Sequence, residues 1–131
     1  MGPAHDRVLV VDDAANLREL LTMLLEAEDD FVVVGAAADG AQAVEKAAEL
    51  RPDVVLLDLA MPVMDGLQAL PELRRLLPSA RLVVFSGYDE VSLARAALDV
   101  GADAYIEKGT SVLQLVARLR ALRVAGDDKA G

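Results

Sequence analysis

Short apolar, β-branched runs alternate with amphipathic stretches along the chain, and Gly, Pro and Asp mark the joins between them. That alternation is the signature of an α/β domain built on a parallel sheet. The runs are Val8 to Val11, Phe31 to Ala36, Val54 to Leu57, Leu82 to Phe85 and Ala104 to Ile106. They are mostly unbroken in hydrophobicity, as strands buried on both faces must be, so helices are expected to cover both sides of the sheet. A length of 131 residues suits one such domain. The expectation is a single doubly wound sheet of five βα units over 7–125, with an N-terminal tail at 1–6 and a loose C-terminal tail at 126–131.

The stretches between the runs carry helical signals. Leu17, Leu20, Leu21, Leu24 and Leu25 fall on one side of a first helix. Asp39, with Gln42 three residues on, caps a second that Arg51-Pro52 closes. Asp65-Gly66 opens a third with a stripe of Leu67, Leu70, Leu73 and Leu77, but Pro71 removes an interior N–H, so a late start or a kink is expected. A fourth spans about Asp89 to Val100 and stops at Gly101. Ser111 and Gln114 form a capping-box pattern for a fifth, with Val112, Leu115, Val116, Leu119 and Leu122 facing inward.

Several function classes are excluded by composition. Thirteen Lys and Arg against 22 Asp and Glu leave a net charge of −9, which repels phosphate backbones and anionic membranes. There is no cysteine, so thiolate chemistry and disulfides are absent, and His5 is the single histidine, which leaves Ser-His-Asp catalysis and multi-histidine metal sites without their parts. No apolar run approaches the roughly 20 residues of a membrane span, and Met1 to Asp6 lack a signal-peptide pattern, so a cytoplasmic setting is expected.

In doubly wound sheets, ligands bind at the carboxyl ends of the strands. The first strand runs into Asp12 and Asp13 and the third into Asp58, so three carboxylates converge if those strands are neighbours. An isolated aspartate there is readily explained as a helix cap, but three together repel one another and suit a hard cation such as Mg²⁺ with oxygen ligands. The fourth strand brings Ser86 to the same rim and the fifth brings Lys108. Together these are the parts needed to hold a cation, attack a phosphoryl group with a carboxylate and neutralise its charge.

The motifs VLVVDDAANLRELL, PDVVLLDLAMPVMDG, LVVFSGYDE and GADAYIEKG stand in the order and at the spacings of the receiver domains of two-component response regulators, which the chain resembles from about Arg7 to Val124. The resemblance implies a flavodoxin-like, CheY-like fold with strand order 2-1-3-4-5. It further implies that Asp58 accepts a phosphoryl group from a histidine kinase or a histidine phosphotransfer protein. Mg²⁺ would be held by Asp13, Asp58 and the backbone carbonyl of Ala60, with Asp12 acting mainly through water. Lys108 and Ser86 would bind the phosphoryl group, and Tyr105 would occupy the aromatic switch position. Apart from the resemblance, Tyr105 reads as an edge-strand aromatic packing on the fourth helix. The output would be a rearranged surface around the fourth helix, fifth strand and fifth helix, read by an effector domain or an output protein. A homodimer through that surface, or through the first and fifth helices, is also within the family's range. The style of the loop at Glu28-Asp29-Asp30 and of the Glu107-Lys108-Gly109 segment is similar to receivers that precede LuxR-type DNA-binding domains.

The pattern departs from the family in places. Gly109 follows Lys108 where proline, joined by a cis peptide, is common, and no cis bond is expected without it. Ala60 and Tyr88 sit where side chains tune phosphoryl lifetime; neither orients a water as a carboxylate does, so slow dephosphorylation is expected, although Glu90 lies beside the second of them. Two other classes compete. A phosphorylation-independent receiver-like interaction module is disfavoured by the complete set of Asp12, Asp13, Asp58, Ser86 and Lys108. A phosphohydrolase of the haloacid-dehalogenase type needs a second aspartate where Ala60 stands, so catalysis is expected to be confined to the chain's own phosphoryl group.

Overall fold

The computed structural model describes residues 5–87 and 91–130. The elements alternate as β1 (Asp6–Val11), α1 (Ala15–Glu26), β2 (Phe31–Ala37), α2 (Gly40–Leu50), β3 (Val54–Leu57), α3 (Gly66–Leu76), β4 (Arg81–Ser86), α4 (Val91–Asp99), β5 (Ala104–Glu107) and α5 (Val112–Ala130). The five strands form one parallel sheet in the order β2-β1-β3-β4-β5, the flavodoxin-like arrangement. Hydrophobicity follows position in the sheet. The central β3 is buried at every residue, whereas the edge strand β2 is largely half-buried and the other edge, β5, alternates buried Ala104 and Ile106 with half-buried Tyr105 and exposed Glu107.

The period-two geometry of the strands divides the core. Leu9, Val11, Val55, Leu57, Leu82 and Val84 face a layer that includes Ala43, Ala47, Ala69, Leu70, Leu73 and Ala97 of α2, α3 and α4. Val8, Val10, Val54, Leu56, Val83 and Ile106 face Leu21, Leu25, Leu115, Val116 and Leu119 of α1 and α5. Helices thus cover both faces, and the termini of the strands are left as the two open poles of the domain.

Local chemistry accounts for the helix boundaries. Asp39 caps α2 by accepting from Gln42 N–H at 2.9 Å, and the helix ends at Arg51 in the left-handed region. Asp65 and Gln68 form a complete capping box, so α3 starts at Gly66 and runs unbroken past Pro71 to Leu76. A late start is therefore not found. Pro71 lies on the exposed side of α3, where water can satisfy the carbonyl that loses its partner. Ser111 Oγ accepts from Gln114 N–H at 3.3 Å at the start of α5.

Other boundaries differ from expectation. Asp6 belongs to β1 and not to a tail, because its N–H bonds to Asp30 O and its carboxylate is held by Arg81 and Arg123. The stretch 126–130, expected as a loose tail, continues α5; Ala, Asp and Lys all tolerate a helix, and the lone Gly126 does not stop it. Leu20, on the apolar side of α1, and Val112, expected to face inward at the first position of α5, are exposed. The expected start of the fourth helix at Asp89 lies outside the described residues.

At the amino-terminal pole, α5 is fastened to the sheet by ion pairs. Arg120 binds both oxygens of Asp30 at 2.8 Å, Arg123 binds Asp6 at 2.6 Å and Asp30 at 3.1 Å, and both guanidinium groups lie over the ring of Phe31. Among the described residues, no helix is long and apolar enough to cross a membrane.

Candidate functional site

The opposite pole gathers the acidic residues. Val11 and Leu57 are register partners on β1 and β3, so the residues that follow them, Asp12 and Asp58, emerge side by side. The ladder continues one step further, because Asp58 N–H donates to Val11 O at 3.0 Å. Asp12 N–H donates to Ala37 O of β2, which ties the first aspartate to the neighbour on the other side of β1. Asp13 follows on the solvent side. Carboxylate oxygens of Asp12, Asp13 and Asp58 all lie within 4.8 Å of one another. Asp12 and Asp58 are buried and Asp13 is exposed.

Lys108 is the charge that makes this burial tolerable. It follows β5, two strands from β3, a separation of roughly 10 Å that its extended stem and the Asp58 side chain close from both sides. Its Nζ lies 2.8 Å from Asp12 Oδ2 and 3.1 Å from Asp58 Oδ2. The Lys108 N–H donates to Ser86 O at 2.9 Å, which sets the root of the side chain against β4. Ser86 itself is fully buried at the end of β4.

The electrostatics follow from this geometry. Burial raises the proton affinity of Asp58; Lys108 opposes the shift, the negative charge of Asp12 adds to it, and the net direction is upward. Burial alone would lower the Lys108 value, but hydrogen bonds to Asp12 and Asp58 outweigh it and the ammonium is held above its ordinary range. The result is a basic, partly shielded carboxylate beside a lysine that stays charged, with oxygen donors suited to a hard divalent cation.

The loop after β3 shapes the entrance. Ala60 is exposed, and its N–H donates to Asp58 Oδ1 at 3.3 Å. With Asp13, Pro62, Asp65 and Leu93 of α4 it lines an open cleft of about 610 Å³. Met64 N–H bonds back to Pro62 O at 2.7 Å, leaving Val63 at the tip with φ of 67°. The loop is held from both sides: Gly40 N–H donates to Met64 O, and Gly66 N–H donates to Leu59 O. A Cβ at Gly66 would stand 2.4 Å from the Asp58 carbonyl oxygen, so only glycine fits there.

Every sequence-predicted site residue apart from Tyr105 is thus found at this pole. Tyr105 pairs with Val84 and is half-buried against the α2, α3 and α4 side of the core, which is the packing role its position in an edge strand suggests. Tyr88 and Glu90 lie outside the described residues. No cis peptide occurs among the described residues; Gly109 has no positive φ and an added Cβ there would meet nothing within 4 Å.

One contributor was not anticipated. Arg18, in the first turn of α1, donates from Nη1 to the Asp12 carbonyl oxygen at 2.7 Å. A basic residue in the first turn opposes the helix dipole, and that anomaly was the available signal.

The family model described as response regulator receiver domain matches residues 8–120. A protein-glutamate methylesterase/protein-glutamine glutaminase of Maricaulis maris is 44% identical over 113 residues, covering 82% of this chain and 28% of that protein. The response regulator protein VraR of Staphylococcus saprophyticus is 39% identical over 114 residues, covering 87% of this chain and 54% of that protein. The crystal structure of a LuxR-family two-component response regulator from Aurantimonas sp. SI85-9A1 superposes with a TM-score of 0.88 at 30% identity, covering 93% of this chain and 87% of that one. The chain spans about half, or less, of the length of these curated relatives. Fold, the carboxylate-lysine constellation and these likenesses agree, and the chain belongs to the response regulator receiver domain family, the phospho-accepting modules of two-component signalling.

Proposed function

We propose that Asp58 is the phospho-acceptor of this receiver domain and that Asp12, Asp13 and Asp58, with the carbonyl of Ala60, hold Mg²⁺. The observation that carries the reading is the contact of Lys108 with both buried carboxylates, next in sequence to Asp13 and near Ala60, which line an open cleft. When bound, Mg²⁺ supplies the positive charge that lets a phosphoryl group approach three carboxylates.

The chain's own residues then divide the work. A carboxylate oxygen of Asp58 attacks phosphorus, and the bond to the donor nitrogen of a histidine kinase or a histidine phosphotransfer protein breaks as the new P–O bond forms. Lys108 exchanges its contact with Asp58 for one with a phosphoryl oxygen, keeping the ion pair while the acceptor becomes an ester-like mixed anhydride. Ser86, buried at the end of β4, donates its hydroxyl to another phosphoryl oxygen. The added charge, about −1.5 to −2, draws that end of β4 and the start of α4 toward the site, and Tyr105 follows on the same side of the sheet.

The surface of α4, β5 and α5 is the output on this reading, presented to an effector domain, an output protein or a second copy of the chain. The setting is cytoplasmic, without direct contact to nucleic acid or membrane. Turnover is confined to the chain's own phosphoryl group, because exposed Ala60 offers no acid or base to a separate substrate. Reductive trapping tests the assignment: borohydride converts an aspartyl phosphate to homoserine, and peptide mapping is expected to find it at position 58. Homoserine at position 12 or 13 instead would overturn it.

A further inference from the structure

We infer that Arg18 is a positioning residue for the cation-holding aspartates, fixing the loop that carries Asp12 and Asp13. The inference rests on the proposed role of those aspartates and extends it to a residue outside the acidic set.

Two features of α1 point to it. The helix begins without a side-chain cap, since Ala14 occupies the capping position, and no acidic residue stands in its first turn. The turn between β1 and α1 is therefore short of the usual fastenings at the place where the aspartates must be held still. Asp12 is fastened at each of its other groups: its N–H to Ala37 O, its Oδ1 to Ala14 N–H at 2.9 Å and its Oδ2 to Lys108 at 2.8 Å. The carbonyl oxygen is the remaining handle, and Arg18 Nη1 takes it at 2.7 Å.

The placement is electrostatically unfavourable on two counts. A guanidinium at a helix amino terminus opposes the dipole, and a positive charge beside a cation site lowers cation affinity. If Arg18 acted through charge alone, its removal would tighten Mg²⁺ binding. Positioning makes the opposite prediction, because an unfastened Asp12 carbonyl lets the aspartate pair move and the cation must then order it.

Titration calorimetry with Mg²⁺ on the intact chain and on Arg18→Met and Arg18→Lys separates these. Positioning predicts that Arg18→Met binds Mg²⁺ roughly fivefold or more weakly, the scale of one lost hydrogen bond. Arg18→Lys, which keeps the charge but not the planar reach, is expected to be weakened at least about twofold. Faster amide exchange at Ala14 with unchanged helix content accompanies both. Tighter or unchanged binding in Arg18→Met, or unchanged binding in Arg18→Lys should the first variant fail to fold, overturns the inference. Absence of Mg²⁺ binding by the unaltered chain would instead overturn the assignment of the aspartates on which it rests.

Discussion

Lys108 Nζ stands 3.1 Å from Asp58 Oδ2, although the two residues lie 50 positions apart and follow strands separated by β4. The same nitrogen contacts Asp12 at 2.8 Å, so one ammonium compensates two buried carboxylates. Lys108→Ala leaves those carboxylates facing each other. In metal-free buffer the variant is expected to lose about 1–3 kcal/mol of stability by urea denaturation. Saturating Mg²⁺ is expected to restore more stability to the variant than it adds to the unaltered chain, because the competing positive charge is gone. Equal stability of the two chains without metal would contradict this role.

Val63 is a β-branched residue at φ of 67° and is 85% exposed. It carries backbone strain with almost no packing in return. Val63→Asn, which tolerates that conformation, is expected to stabilise the fold by about 0.5–1 kcal/mol in thermal or urea unfolding. A destabilised variant would show that the tip has packing value beyond what its exposure indicates.

The amino-terminal pole gives a pH dependence. Hydrogen bonds from Arg120, then Arg123, hold the Asp30 carboxyl well below its ordinary value of 3.8. A group depressed in the folded state contributes stability above its unfolded value and loses it as pH falls toward the folded one. Asp30→Asn is therefore expected to be less stable than the unaltered chain near pH 6, with the gap narrowing as pH drops below 3.8. Urea midpoints at several pH values would show it, and a gap that widens in acid would refute it.

Much of this was legible before the fold was known, for identifiable reasons. Val54–Leu57 is apolar at every position because β3 is central and covered on both faces, so its end, and with it Asp58, was placed without ambiguity. Asp12 and Lys108 were readable for the same reason, as the first polar residue after β1 and the lysine that directly follows β5. Periodicity failed where it says nothing of what covers a face: Leu20 continues the stripe of Leu21 and Leu25 yet reaches past the sheet into solvent. Pro71 argued locally against a helix that the Asp65–Gln68 capping box and buried Leu70 and Leu73 sustain. Val63 and Arg18 were hidden because each goes against its local preference, a β-branched residue at positive φ and a cation at a helix amino terminus.

The exposed Ala60 beside Asp58 has no group to orient a hydrolytic water. The aspartyl phosphate is expected to persist for minutes or longer in Mg²⁺ buffer, and Ala60→Glu is expected to shorten its lifetime several-fold. Following the decay of the phosphorylated mass checks both. A lifetime of seconds in the unaltered chain would contradict the expectation.

The most direct test is the intact mass of the chain after incubation with acetyl phosphate. With Mg²⁺ present, a gain of one phosphoryl group, about 80 Da, is expected, and neither Asp58→Asn nor the metal-depleted sample should show it. No gain in the unaltered chain, under conditions that label another receiver, would contradict the account and assign the fold to a module that works without phosphorylation.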